Sequence, residues 1–119
     1  MAVERPDPAE EYYTEERCHI LETWNTERDP AASIARARVH PGVTTRLHRV
    51  KDTIERYIII EGAGQVEVGG RGPEAVGPGD VVIIPAGAAQ RIRNTGAGDL
   101  VFYCICTPRF VQENYEALE

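Results

Sequence analysis

The sequence has no apolar run of the length that crosses a membrane. Hydrophobic residues make up 42% of the 119 positions, but charged residues and glycines interrupt them throughout. A transmembrane helix needs about 20 consecutive apolar residues, and the N-terminal MAVERPDPAEEYY has no apolar signal core. We therefore expect a cytoplasmic protein without a membrane partner.

Basic charge is also scarce. Thirteen Lys and Arg residues stand against 19 Asp and Glu residues, which gives a formal net charge of −6. Proteins that bind nucleic acid attract the phosphate backbone with a basic surface, whereas the arginines here are interspersed with acids. The composition therefore argues against nucleic acid as a partner.

Cysteine is too sparse for a disulfide framework. The chain has three, Cys18, Cys104 and Cys106, an odd number without the spacing of a zinc finger. Cys104 and Cys106 lie two apart in a predicted strand, so both face the same side and are candidates for a substrate-contacting pocket wall. A buried free cysteine mostly behaves as a small hydrophobe; the alternative, a thiolate near a metal, requires a lowered pKa.

Aromatic residues make up only 7% of the chain, so its core must be aliphatic. What is abundant is short runs of Val and Ile separated by Gly, Pro and Asn turn signals, as in VVIIPAG and IRNTG. This rhythm predicts an all-β protein, an antiparallel barrel or sandwich of many short strands. Only residues 111–119 are compatible with a short C-terminal helix.

The chain length predicts one domain. Residues 1–16 are acidic and contain proline, and we expect them to form a mobile arm or an arm that docks on a neighbouring subunit. Residues 17–119 form the expected β-domain. Whether the arm crosses to a partner stays open at this point.

Alternation along IERYIIIE (residues 54–61) assigns two faces to one strand. If Glu55 points inward, so does Tyr57, whereas Arg56, Ile58 and Ile60 lie on the opposite face. An apolar outer face of this kind is usually buried against a second sheet or a second subunit. We therefore expect a homodimer.

Two spaced motifs carry a resemblance to a known family. The first motif consists of Gly42, His48, Glu55 and Gly62, and the second of Gly79, Pro85, Gly87, Gln90 and Asn94. Their order and spacing, with a core between residues 42 and 94, resemble the cupin superfamily. The resemblance implies a jelly-roll barrel, also called a double-stranded β-helix, which usually holds one divalent metal at its mouth through three histidines and one glutamate.

The ligand set implied by the resemblance is incomplete. His48 matches the first histidine and Glu55 the glutamate, but Val50 and Gln90 stand at the other two histidine positions. A site made by His48, Glu55 and Gln90 would suit Mn, Fe, Ni or Zn with open coordination positions. In the alternative without metal, Val50 is ordinary packing, Gln90 is a hydrogen-bond partner, and Glu55 pairs with an arginine such as Arg46.

These residues suggest two functions. The first is a metal-dependent lyase, isomerase or dioxygenase acting on a small polar metabolite, with Glu55 or Tyr57 moving a proton. Arg46, inward by parity, is the candidate for pairing with a substrate carboxylate or phosphate, and Val50 would line the pocket. Tyr57 is also compatible with a purely structural place in the pocket wall. The second function is a non-catalytic ligand-binding or sensing barrel; similarity to phosphomannose isomerase-like chains is only weak support for isomerase activity.

Overall fold

The computed structural model describes residues 2–119, and nearly all of its regular structure is β-strand. The strands are β1 (Tyr12–Tyr13), β2 (His19–Trp24), β3 (Ser33–Val39), β4 (His48–Val50), β5 (Ile54–Glu61), β6 (Gly64–Val68), β7 (Arg71–Val76), β8 (Val81–Ile84), β9 (Gln90–Asn94), β10 (Leu100–Thr107) and β11 (Tyr115–Ala117). The prediction of an all-β antiparallel fold is confirmed.

The strands form two antiparallel sheets that face each other. The larger sheet has the order β1-β2-β3-β10-β5-β8, and the smaller sheet has the order β11-β4-β9-β6-β7. Strands that neighbour one another in a sheet are often distant in sequence, as β3 and β10 are, which is the connectivity of a jelly roll. The two sheets enclose the core and, beside it, a cavity.

The core is aliphatic, as the composition predicted. Its most deeply buried side chains are Ile59, Ile84, Ile92, Leu100 and Val39, which come from strands of both sheets. Burial of such apolar surface is the main term that holds two facing sheets together.

A glycine and an asparagine shape the turn between β9 and β10. Gly62 has a φ of +88°, and a Cβ atom there would lie 2.6 Å from the carbonyl oxygen of Asp99. The buried Asn94 side chain donates to the carbonyl oxygens of Val39 and Gly98, each at 2.8 Å. Gly62 therefore allows the backbone of Asp99 to approach closely, and Asn94 bonds two backbone carbonyl groups. Together these two motif residues hold the ends of β5 and β9 against this turn.

The structure differs from the sequence expectation at residues 111–119. Instead of an α-helix, the segment forms a 3₁₀ turn, Gln112–Asn114, followed by β11. Strand β11 pairs with β4, so that Tyr115 lies opposite Val50 and Ala117 opposite His48. The edge of β4 offers unpaired backbone groups, and pairing with them outweighs the local helical preference of the segment.

The expected N-terminal arm lies partly on the barrel of its own chain. Met1 lies outside the described residues, but Pro8–Glu10 forms a 3₁₀ turn and β1 pairs with β2. The Glu11 carboxylate accepts a hydrogen bond of 2.6 Å from Arg38 on β3. Among residues 2–119, no helix is long and apolar enough to span a membrane.

The two faces of β5 are those that the alternation predicted. Glu55 and Tyr57 are buried between the sheets, while Ile60 is 48% exposed. The neighbouring strand β8, at the edge of the larger sheet, exposes Val81 and Ile83 to 56% and 58%. Ile58 lies opposite Val81 in the register of these two strands, which extends the apolar outer surface across both.

Candidate functional site

A cavity of about 390 Å³ lies between the two sheets. Strands β2, β3, β5 and β10 of the larger sheet form one side of it, and β4 forms the other. The segment before β2 and the segment around β11 complete its wall. Both ends of the described chain therefore take part in a site whose centre belongs to the barrel.

His48 is the central polar residue of this cavity. Its Nδ1 atom donates a hydrogen bond of 2.7 Å to the carbonyl oxygen of Arg46, which leaves the lone pair of a neutral ring on Nε2. The Nε2 atom lies 3.4 Å from Oε2 of Glu16. The ring of Tyr115 stacks on His48 with a centroid separation of 5.0 Å and holds its plane.

Burial brings the proton affinities of Glu16 and His48 towards each other. The pKa of Glu16 is raised to about 7, because its carboxyl is desolvated, although the charge of Arg46 opposes this. The pKa of His48 is lowered, chiefly by desolvation, although the hydrogen bond to Arg46 and the charge of Glu55 oppose this. Both shifts favour the neutral pair, in which a protonated Glu16 lies beside a neutral His48.

Glu55 belongs to a buried hydrogen-bond chain that joins the two sheets. The Tyr57 hydroxyl donates to Oε1 of Gln90, and Nε2 of Gln90 donates to Oε1 of Glu55 at 2.8 Å. Desolvation raises the pKa of Glu55, and the same effect raises the pKa of Tyr57 well above its usual value. Glu55 and Tyr57 face the cavity, whereas Gln90 is buried behind them.

The donor set does not fit the metal that the resemblance implies. Within residues 2–119, no three or more His, Cys, Asp or Glu side chains come together in a group that could hold a metal ion. Val50 offers no donor atom, and the Gln90 oxygen already accepts the Tyr57 proton. His48 and Glu55 remain, which is too few protein ligands for a firmly bound divalent ion.

Arg46 is not among the described residues that line the cavity. Its guanidinium lies 3.6 Å from Oε2 of Glu15 and donates at 3.1 Å to the carbonyl oxygen of Glu119. It contacts neither Glu55 nor the cavity interior, because residues 45–47 precede β4 and do not continue its alternation. Arg46 instead ties together the two segments at the cavity mouth.

The three cysteines lie in the cavity wall. Desolvation raises the pKa of Cys18 and of Cys106 to about 12, and it raises that of Cys104 well above its usual value. These thiols are therefore protonated at neutral pH and act as small apolar side chains in the cavity wall.

Glu16 was not identified from the sequence as a site residue, because residues 1–16 were assigned to an arm outside the barrel domain. Glu16, Cys18, Ile20 and Glu22 all line the cavity. They occur at every second position, which is the period of a strand. Glu16 itself, however, lies in the turn before β2, where Arg17 has a φ of +69°, so the strand alternation does not extend to it and gave no signal. Tyr115 was missed because it was assigned to a helix.

Comparison with known proteins supports one family. A family model described as "Cupin domain" matches residues 35–106. An uncharacterized protein of Methanocaldococcus jannaschii, MJ1618, is 34% identical over 87 residues, which is 73% of this chain and 69% of that protein.

Several solved structures have the same fold. A Streptomyces protein, PAC13, solved with uridine, has a TM-score of 0.81 at 13% identity over 100% of this chain and 93% of its own; it is described as a unique nucleoside dehydratase. A predicted oxalate decarboxylase from Thermotoga maritima has a TM-score of 0.77 at 23% identity over 88% and 99%. KdgF from Halomonas sp. has a TM-score of 0.74 at 17% identity over 85% and 89%.

Proposed function

The chain belongs to the cupin domain family, and from this premise we propose that it is a lyase- or isomerase-type enzyme that moves a proton on a small polar metabolite. The observation that carries the proposal is the pair His48 and Glu16, whose Nε2 and Oε2 atoms lie 3.4 Å apart inside the cavity. Chemistry of this kind needs a base and an acid that face the same bound molecule.

In this proposal His48 is the base. The hydrogen bond from Nδ1 to Arg46 selects the tautomer whose Nε2 lone pair faces the cavity, and the lowered pKa keeps the ring neutral at pH 7. As the imidazole takes a proton, the nearby charge of Glu55 favours the cation that forms. Glu16, with a pKa of about 7, returns a proton to the leaving group or to the neighbouring carbon.

Glu55 and Tyr57, the catalytic candidates of the sequence, have supporting places in this scheme. The proton of Tyr57 is directed at Gln90 and not at the cavity, so Tyr57 serves as pocket wall. Glu55 is held by Gln90 and acts on His48 through its charge. Val50, Cys104 and Cys106 provide the apolar surface that excludes water from the reacting groups.

Two of the similar structures are described by lyase activities, which are compatible with this class of reaction. PAC13 is described as a nucleoside dehydratase and was solved with uridine, and a dehydration removes a proton and a hydroxyl group from adjacent carbons. The Thermotoga maritima protein is described as a predicted oxalate decarboxylase. At identities of 13% and 23% the likeness extends to the fold alone.

The second candidate is a non-catalytic ligand-binding barrel. It is favoured by the hydrogen-bond chain from Tyr57 through Gln90 to Glu55. Polar side chains that bond each other in the protein stabilise the fold and are less available to react with a ligand. In this case His48 and Glu16 would only bind the ligand. The two candidates differ in whether replacing His48 affects turnover or affinity.

The test is exchange of solvent deuterium into small uncharged hydroxy and carbonyl compounds, followed by NMR. We expect His48→Gln to reduce the exchange rate by about 10²- to 10⁴-fold, which is the usual contribution of a general base. The matched control is His40→Gln, because His40 is exposed and contacts Asp99 outside the cavity. Equal rates for the wild type and His48→Gln would contradict the proposal.

Elemental analysis and chelation separate this proposal from the metal-dependent enzyme that the resemblance implies. For protein purified without an affinity tag, we expect no near-stoichiometric Mn, Fe, Ni or Zn, and we expect exchange activity to survive a chelator. Activity that is lost on chelation and restored by one of these ions would favour the metal-dependent alternative. Binding without exchange in any compound would favour the binding barrel.

We further propose that the protein is a cytoplasmic homodimer. The apolar surface formed by Ile58, Ile60, Val81 and Ile83 supports this proposal, because it covers the outer side of β5 and the edge strand β8. An edge strand with exposed β-branched residues is a natural surface for pairing with a second copy. Residues 17–119 would form the domain, with the N-terminal segment as part of its cavity wall.

A further inference from the structure

The polar lining of the cavity is acidic. Four glutamates, Glu15, Glu16, Glu22 and Glu55, are among the lining residues, and none of the lining residues in the described chain is lysine or arginine. His48 is the one group there that can become a cation near neutral pH. Sites for phosphate or carboxylate groups are normally built from arginine, lysine or helix N-termini.

Two arginines near the cavity, Arg46 and Arg17, are already paired with groups of the terminal segments. Arg46 contacts Glu15 and the carbonyl oxygen of Glu119. Arg17 donates to the carbonyl oxygen of Thr44 at 2.9 Å and pairs with the Glu119 carboxylate. Neither guanidinium is among the groups that line the cavity, so an entering anion would meet carboxyl groups instead of a cation.

An anion inside this cavity would be destabilised. Charges of like sign a few ångströms apart repel strongly when the surrounding medium has a low dielectric constant. Uncharged hydroxyl groups avoid this penalty, because they donate to an ionised carboxylate and accept from a protonated one. The side chains of Glu16 and Glu55 are therefore suited to hydroxyl or amide groups.

The cavity also has an aromatic wall with one unused hydrogen-bonding group. Tyr12, Tyr13, Phe110 and Tyr115 line it, and flat side chains of this kind pack well against a ring. The hydroxyl oxygen of Tyr115 is buried and has no hydrogen-bond partner among residues 2–119. A buried hydroxyl without a partner is unfavourable, and a polar group of a bound molecule would satisfy it.

We propose that the cavity binds an uncharged, ring-bearing, hydroxylated metabolite and rejects the phosphorylated or carboxylated forms of such a molecule. The inference deepens the proposed function, since it names the substrate class of the same site. It reverses the sequence expectation that Arg46 pairs with a substrate carboxylate or phosphate.

The cavity cysteines allow the selection to be measured without the natural ligand. Cys18, Cys104 and Cys106 line the cavity, and methanethiosulfonates of different charge modify thiols. The probes are the neutral methyl reagent, the anionic sulfonatoethyl reagent and the cationic trimethylammonioethyl reagent. The rate at each cysteine is followed by mass spectrometry and divided by the rate of the same reagent with 2-mercaptoethanol.

We expect the neutral reagent to react at least tenfold faster than the anionic one. In the variant Glu16→Gln/Glu22→Gln this ratio should fall at least threefold, because two cavity carboxyls are removed. The matched control is Glu61→Gln/Glu74→Gln, which removes the same charge from exposed positions that do not line the cavity. That control should keep the wild-type ratio.

Each other outcome overturns the proposal. An anionic reagent that reacts as fast as the neutral one would contradict the charge selection. An unchanged ratio in Glu16→Gln/Glu22→Gln would mean that the larger size of the anionic reagent, and not its charge, slows its reaction. A cationic reagent tenfold faster than the neutral one would indicate a cationic ligand. A neutral reagent that fails even at pH 9, where a larger fraction of these high-pKa thiols is ionised, would mean that the cavity admits no small molecule. Because no turnover is measured, this result is independent of the proton-transfer test.

Discussion

A partly buried carboxyl beside an imidazole makes the stability of this protein sensitive to pH at the scale of one residue. Burial raises the pKa of Glu16 from 4.5 to about 7, so the folded chain holds this proton more tightly than the unfolded chain does. The contribution of Glu16 to stability is therefore greatest below pH 4.5 and declines as the pH rises through 7, by about 3 kcal/mol in total.

Glu16→Gln should remove this pH dependence, because an amide does not titrate. Between pH 5 and pH 8, we expect the free energy of unfolding of the wild type to fall by about 2 to 3 kcal/mol more than that of the variant. Urea denaturation at the two pH values measures the difference. Glu15→Gln is the control, since the Glu15 side chain is 93% exposed, and equal pH dependence in Glu16→Gln and the wild type would contradict the assignment.

Val50→His tests whether the cavity can regain a metal site. Val50 is buried in the cavity wall two residues after His48 on the same strand, so a histidine there adds an imidazole beside the first. We expect at least tenfold tighter binding of Zn²⁺ or Ni²⁺ than in the wild type, as measured by titration calorimetry. The double variant His48→Ala/Val50→His should lose this gain, and no gain in Val50→His would mean that the two side chains do not converge.

How far single residues could be predicted depended on whether they lay in a regular strand. Alternation placed Glu55 and Tyr57 on the inner face of β5, because residues 54–60 of that strand follow the period of two. The same rule failed for Arg46, which lies before β4 begins. Glu16 was out of reach because its partner, His48, is distant in sequence and no local pattern connects the two.

At the scale of secondary-structure elements, Gln90 connects the two sheets through the core. It lies on β9 of the smaller sheet, and its amide bonds Tyr57 and Glu55 on β5 of the larger sheet. Buried polar groups that bond each other in this way fix the relative position of the elements that carry them.

Gln90→Met should break this connection at nearly constant volume. The Tyr57 hydroxyl and the Glu55 carboxyl would each lose a buried partner, and we expect a loss of about 3 kcal/mol in the free energy of unfolding. Gln65→Met is the control, because Gln65 is exposed on β6 and should change stability by less than about 0.5 kcal/mol. Chemical denaturation of both variants measures the difference, and equal losses would refute the role of Gln90.

Most strands could be predicted from the sequence, but the two nearest the chain ends, β1 and β11, could not. Runs of Val and Ile between turn residues identify β5, β8 and β10, since their side chains fill a two-sheet core. Strand β11 forms only because β4 presents an open edge, and β1 forms only by pairing with β2. Such elements depend on contacts distant in sequence, which local propensity does not contain.

At the scale of the whole molecule, the apolar outer surface of β5 and β8 determines the proposed assembly. We expect the wild type to be a dimer at micromolar concentration and Ile60→Glu/Ile83→Glu to be a monomer, because two charges would be buried in the interface. Val3→Glu is the control for adding charge at an exposed apolar residue elsewhere. Solution scattering gives the masses, and a monomeric wild type would contradict the proposed dimer.

The cavity draws its lining from two parts of the chain that differ in their relation to the family. His48, Glu55 and Tyr57 fall within the matched residues 35–106, whereas Glu16 and Tyr115 lie outside them. Mutations in the terminal segments can therefore change ligand preference while the barrel that defines the family is left intact. Two family members whose barrels align well can therefore differ in substrate. Whether they share an activity has to be judged from the residues that flank the aligned barrel.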